Sequence, residues 1–188
     1  MVMETISSRL AQYVIRYNNK EDWYDIYKYC FLLCIETAIN LSCNLLIACT
    51  FGMVKEFLIF ISIFFILRRT CGGLHLTSFR TCFILTNFVV FTTLIVSKVI
   101  QYRNITCWLI LVCSYTVLLI VSPIENENKK MDAKERNHVV KKMYNIMIIV
   151  LILALLFSYL NQIRFLVVLT NTLLVVTISA LIGKIKIS

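Results

Sequence analysis

Acidic residues are scarce in this chain, and so are the residues that interrupt helices. Ten aspartates and glutamates stand against 19 lysines and arginines, and there is one proline and only four glycines. Charged residues make up 15% of the sequence and hydrophobic ones 60%. So little charge excludes a soluble globule, because apolar runs near or above the ~18 residues that mark a membrane span recur along the chain. The shortage of proline and glycine, with no alternation of polar and apolar positions, excludes strands and leaves helices as the spans. Helices satisfy their own backbone groups in lipid. The first 28 residues also lack the apolar core and small-residue cleavage site of a secretory signal. The expectation is one all-α integral membrane domain over residues 1–188.

A net charge of +9 would suit a nucleic-acid binder, but the basic residues lie in the connectors between apolar runs, where topology signals lie. No soluble domain remains to carry a nucleic-acid footprint. Of the eight cysteines, Cys30, Cys34, Cys43, Cys49, Cys107 and Cys113 fall in or at the ends of apolar runs. There cysteine behaves as a small hydrophobe.

Residues Met1–Lys28 space Ile6, Leu10, Tyr13, Val14 and Tyr17 along one helical face, with Arg9, Gln12 and Arg16 elsewhere. This predicts an amphipathic interfacial helix, followed by Trp23, Tyr24, Tyr27 and Tyr29 at headgroup level. Six spans are expected: Tyr29–Thr50, Val54–Leu67, Phe83–Ser97, Ile105–Ser122, Asn145–Leu160 and Phe165–Ile182. The second has 14 residues, ~21 Å of helix against a ~30 Å hydrocarbon core, and so reads as a half-insertion or a site of local thinning. Residues 68–82 then form a polar loop and 123–144 a polar basic connector.

Charge orients these spans. Fifteen of the 19 basic residues fall at the termini or in alternate connectors, and only Lys55, Lys98, Arg103 and Arg164 fall on the other side. The positive-inside rule places both termini and residues 68–82 in the cytoplasm of a multi-pass cell-membrane protein. In that reducing compartment Cys71 and Cys82 are expected as free thiols. Lys129, Lys130 and the Lys134–Lys142 stretch set orientation and meet anionic lipid or an acidic peptide. His138, inside that stretch, reads as a solvated helix residue.

Residues 68–82 gather most of what is chemically unusual: Arg68, Arg69, Cys71, Gly72, Gly73, His75, Arg80 and Cys82. A thiol attacks as its thiolate, and an imidazole, guanidinium groups or a helix N-terminus nearby favour that form. His75 and Cys82, seven apart, would stand ~10 Å apart along one straight helix, too far for proton transfer. A catalytic pair therefore needs a bend, which Gly72-Gly73 can supply, with Cys82 at the start of the third span. Three other readings compete. The arginines could merely set topology; Cys71, His75 and Cys82 could ligate zinc, although their spacing fits no common framework; and Cys71 could be the nucleophile, although it precedes the glycine joint.

Within the first span, Glu36, Asn40 and Asn44 form a stripe at i, i+4 and i+8, so that face must meet protein or water. Glu36 could orient His75 as a third catalytic member or pair with Arg68 or Arg69. The stripe would also suit a peptide exporter or channel, which needs no Cys82, and a receptor or scaffold would need neither Cys82 nor His75.

Arg68-Arg69, then Gly73, His75 two residues on and Cys82 seven beyond it, resemble the loop of the accessory gene regulator protein B (AgrB) family, membrane cysteine endopeptidases of quorum-sensing peptide maturation. The likeness extends to length, six spans, and the connector from Ser122-Pro123 to Lys142 with its Asn128-Lys129 pair. One departure is the lack of a second proline often found after that pair. The resemblance implies Cys82 as nucleophile and His75 as its base, with Arg68, Arg69, Gly73 and Arg80 as loop support and no cofactor or metal. It also implies an AgrD-like precursor peptide as partner, whose thioester on the enzyme is captured by a side chain of the peptide to close a ring. A homodimer is carried as a further expectation.

Overall fold

A computed structural model of the protein describes residues 2–18, 21–72, 78–100, 103–122 and 132–187. It consists of seven α-helices and a single 3₁₀ turn among the described residues, with no strands. The helices are α1 (Val2–Asn18), α2 (Tyr24–Phe51), α3 (Val54–Cys71), α4 (Phe79–Val99), α5 (Asn104–Val121), α6 (Ala133–Tyr159) and α7 (Ile163–Ile187); the turn, Glu21–Trp23, joins α1 to α2.

Five helices, α2 and α4–α7, are long and apolar enough to cross a bilayer. Helix α3 carries Lys55, Glu56, Arg68 and Arg69 near its ends, yet it is among the most enclosed elements. Phe57, Phe60, Phe64 and Leu67 are all buried. Its course follows from its neighbours. Asn87 Nδ2 of α4 donates to Asn40 Oδ1 of α2 at 3.1 Å, and Lys98 Nζ donates to the Phe51 carbonyl at 3.2 Å. The two contacts are eleven residues apart on each helix and run in the same direction, so α2 and α4 are parallel and in register. The chain leaves α2 at one end of the bundle and must begin α4 at the other. Helix α3 makes that return, and its 18 residues at ~1.5 Å each give ~27 Å, close to a full hydrocarbon core. The 14 apolar residues expected for this span are the greater part of a longer helix, which continues through Arg68, Arg69 and Thr70 to Cys71.

Helix α7 forms the axis of the bundle, packed against α3, α4, α5 and α6. Leu166, Val168, Leu169, Leu173 and Ala180 are all inaccessible. In lipid no hydrophobic drive pulls helices together, and close packing with interhelical hydrogen bonds, each about 0.6 kcal/mol on average, must do so. Asn171 Nδ2 donates to Ser97 Oγ, and Thr177 Oγ1 to the Ser114 carbonyl, tying α7 to α4 and α5. At the far end of α5, Asn104 and Trp108 both reach Ser158 of α6. Ile84, Phe88, Ile105, Leu109, Ile149 and Ile152 face outward, as side chains meeting acyl chains would.

One sequence expectation changes here. The basic stretch from Ala133 to Tyr144, read as connector, is nearly the first half of α6, with His138 exposed upon it. On α1, the face turned to α2 is small, Ser7 and Ala11 both being fully buried. Ile6, Leu10, Tyr13 and Tyr17 point outward, which leaves an apolar face available to a membrane surface.

Candidate functional site around Cys82

Helix α3 ends at Gly72, whose amide donates to the Arg68 carbonyl and whose backbone sits at φ 79°, ψ −167°. A side chain is very seldom tolerated in that region, so glycine is required to turn the chain. Residues 73–77, including Gly73 and His75, lie outside the described residues. The chain is described again from Ser78, the residue before α4, in extended conformation.

Cys82 completes the first turn of α4, its amide donating to the Ser78 carbonyl at 3.1 Å. The amides of the preceding residues in that turn point out of the helix end, where the partial positive charge of the helix dipole is concentrated. One turn further on, Thr86 bonds the Cys82 carbonyl at 2.8 Å and holds its hydroxyl 4.0 Å from Cys82 Sγ. The half-buried thiol lines a cavity of about 210 Å³ between α3, α4 and α7. Phe64 and Arg68 contribute from α3, Leu85, Thr86 and Val89 from α4, and Val175, Ile178, Ser179 and Ile182 from α7. The cavity is an apolar slot with Arg68 in its wall. The Arg68 guanidinium carbon lies 5.6 Å above the Phe64 ring, an arrangement that favours a cation.

The remaining expected residues are divided. Of the three arginines, only Arg68 shares the cavity with Cys82; Arg69 and Arg80 are exposed. Cys71 is fully buried, its Sγ 4.0 Å from Thr70 Oγ1, and is not part of the cavity wall. Glu36 shares the face of α2 that holds Asn40, and Asn40 also accepts from Asn44. The register of α2 against α4 sets Glu36 level with Phe83, one residue past Cys82. Asn87 and Cys82 are five residues apart, ~140° around α4, so the face meeting α2 is not the face lining the cavity. Among the described residues Glu36 has no hydrogen-bond or ion-pair partner, with Arg68 and Arg69 or any other group. It therefore shares the depth of Cys82 but not its side of the helix.

Thr86, Ser179 and the α7 wall were not foreseen. Thr86 had a signal, being four residues from Cys82 on one helix face. The α7 residues had none, since nearly a hundred positions separate them from Cys82.

The family profile of accessory gene regulator B matches residues 7–182, nearly the whole chain. The chain belongs to that family. Membership places this AgrB protein in accessory gene regulation, in the processing of quorum-sensing peptides in general, and in the membrane with several crossings. No curated protein and no solved structure matches the chain.

Proposed function

We infer that the protein is a membrane cysteine endopeptidase that cuts a short precursor peptide and promotes its cyclisation. The observation that carries this reading is the placement of Cys82, at a helix N-terminus and in the wall of a cavity beside Arg68, in a chain of the AgrB family. A helix N-terminus and a cation both favour the thiolate form of a cysteine, which is the form that attacks.

In the proposed reaction Cys82 Sγ attacks the carbonyl of the scissile bond, and His75 takes the thiol proton. The bond to the leaving amide nitrogen breaks as His75 returns that proton, releasing the C-terminal fragment as an amine. The N-terminal fragment remains as a thioester on Cys82. A thiol or hydroxyl of the same fragment then attacks the thioester carbonyl, the S–C bond to Cys82 breaks, and the ring leaves with no net oxidation. A thioester is reactive enough for this second transfer. The apolar slot, which keeps water from the acyl group, favours ring closure over hydrolysis.

The basic asymmetry supports an orientation in which both termini and Cys82 face the cytoplasm. The precursor would be met there, on a surface of anionic lipid. The exporter reading has less support, since Asn87 of α4 donates to Asn40 of α2 and Asn44 donates to Asn40 within α2, so two members of the polar stripe have protein partners. The test is conversion of a synthetic candidate precursor peptide by purified protein in liposomes. Cys82→Ala and His75→Ala should each abolish conversion while inserting normally. Conversion by Cys82→Ala would refute the reading.

A further inference from the structure

We propose that the slot between α3, α4 and α7 is the pocket for the substrate residue that donates the cleaved carbonyl, and that it selects a large apolar side chain there. The proposal rests on Cys82 as the nucleophile and adds what that nucleophile accepts.

When a thiol attacks a peptide carbonyl, the side chain on the same residue is held within a few bonds of the sulfur. The nearest space for it is whatever cavity the sulfur lines. Here that cavity runs from Cys82 along α4 to Val89 and along α7 between Ile182 and Val175. Seven residues on each helix give it a length of ~10 Å. At about 210 Å³ it is smaller than the ~300 Å³ at which drug-sized ligand sites begin, a size for one side chain. Leu85, Val89, Val175 and Ile178 give it an apolar lining, so a leucine or phenylalanine side chain buries well and an alanine leaves it half empty. Arg68 in the same wall opposes a lysine or arginine, which would bring a second cation into a site of low polarity. Ile178 and Ile182 are partly exposed on the outer side of the slot, so the side chain enters from the bilayer.

The probe is a series of acetyl-aminoacyl chloromethyl ketones with alanine, leucine, phenylalanine and lysine side chains. Cys82 Sγ bonds to the methylene carbon, the carbon–chlorine bond breaks, chloride leaves with the electron pair, and the thiol proton goes to a base. Alkylation of Cys82 is followed by peptide mass spectrometry on full-length protein in liposomes, with iodoacetamide as a reagent that carries no side chain. The leucine and phenylalanine probes should modify Cys82 at least tenfold faster than the alanine probe, since each methylene in a fitted apolar pocket is worth ~10–200-fold. The lysine probe should be slower than alanine. Ile178→Phe, at a partly exposed position that can accept bulk, should erase the preference for phenylalanine, and Ile178→Ala should shift preference toward it. Each variant's rates are divided by its own iodoacetamide rate, so that a general change in Cys82 reactivity does not count as a change in preference.

Equal rates for all four probes, with Cys82 still reacting with iodoacetamide, would overturn the pocket while leaving the nucleophile in place. So would a preference that followed the acyl-chain length of the liposome lipid, which would assign the slot to lipid. Failure of Cys82 to react with any reagent would remove the catalytic reading itself.

Discussion

Cys82 and Cys71 show how position, more than residue type, assigns a role. The two thiols are eleven residues apart, Cys71 at the end of α3 and Cys82 in the first turn of α4. One occupies the first turn of a helix and lines a cavity with an arginine. The other has no accessible surface and sits against Thr70. A thiol shut away from solvent is inert, so Cys71→Ser should keep processing within about threefold of the wild type. Complete loss in Cys71→Ser, with stoichiometric zinc in the wild type, would favour a metal site instead. Glu36 presents a sharper test. Its depth matches Cys82, but it lies on the other side of α4, and so Glu36→Gln should slow processing far less than His75→Ala. A loss equal to that of His75→Ala would return the carboxylate to the catalytic group. Both rates can be read from product formation in liposomes.

At the level of the helices, the two glycines with positive φ among the described residues offer a matched comparison. Gly52 closes α2 at φ 67° with its amide on the Ala48 and Cys49 carbonyls, and a Cβ there would meet nothing within 4 Å. Gly72 closes α3 in the rarer region at φ 79°, ψ −167°. Gly52→Ala should cost about 1 kcal/mol from backbone strain alone, lowering Tm without changing the processing rate. Gly72→Ala should cost about 1–3 kcal/mol and also slow processing, since it redirects the chain toward residue 75 at the Cys82 end of the bundle. Thermal unfolding in detergent and product formation measured together separate the two effects. Equal processing by both variants would mean that the turn at Gly72 does not set the active geometry.

The helices were legible in the sequence because apolar runs report the membrane directly: each of the six expected spans falls on one of α2–α7, and five of these are long and apolar enough to cross a bilayer. Their ends were not. Hydropathy sees only the part of a helix in lipid, so α6 was expected from Asn145 and begins at Ala133, while α3 was expected to stop at Leu67 and runs to Cys71. Arg68 and Arg69 looked like loop because of their charge. They are helical, and that places Arg68 over Phe64 and into the cavity. The start of α4 near Cys82 could be reasoned from the loop, whereas the slot could not, because α7 supplies a wall with no local signal.

For the molecule as a whole, the parallel register of α2 and α4 requires that α3 run back between them. Combined with the bias of fifteen basic residues to four, this predicts that positions 78 and 134 are cytoplasmic and positions 104 and 162 external. Single cysteines placed there in a cysteine-free background should be labelled by a membrane-impermeant maleimide on intact cells only at 104 and 162. Labelling at 78 from outside would invert the protein and separate its active end from a newly made precursor. The most direct test of the central claim is the covalent intermediate. Purified protein in liposomes, given the precursor and quenched in acid during turnover, should show the N-terminal fragment as a mass adduct on the peptide containing Cys82. Neutral hydroxylamine, which cleaves thioesters, should remove it, and Cys82→Ala should not form it. Conversion of the precursor with no such adduct on Cys82, or with the adduct on another residue, would contradict the account.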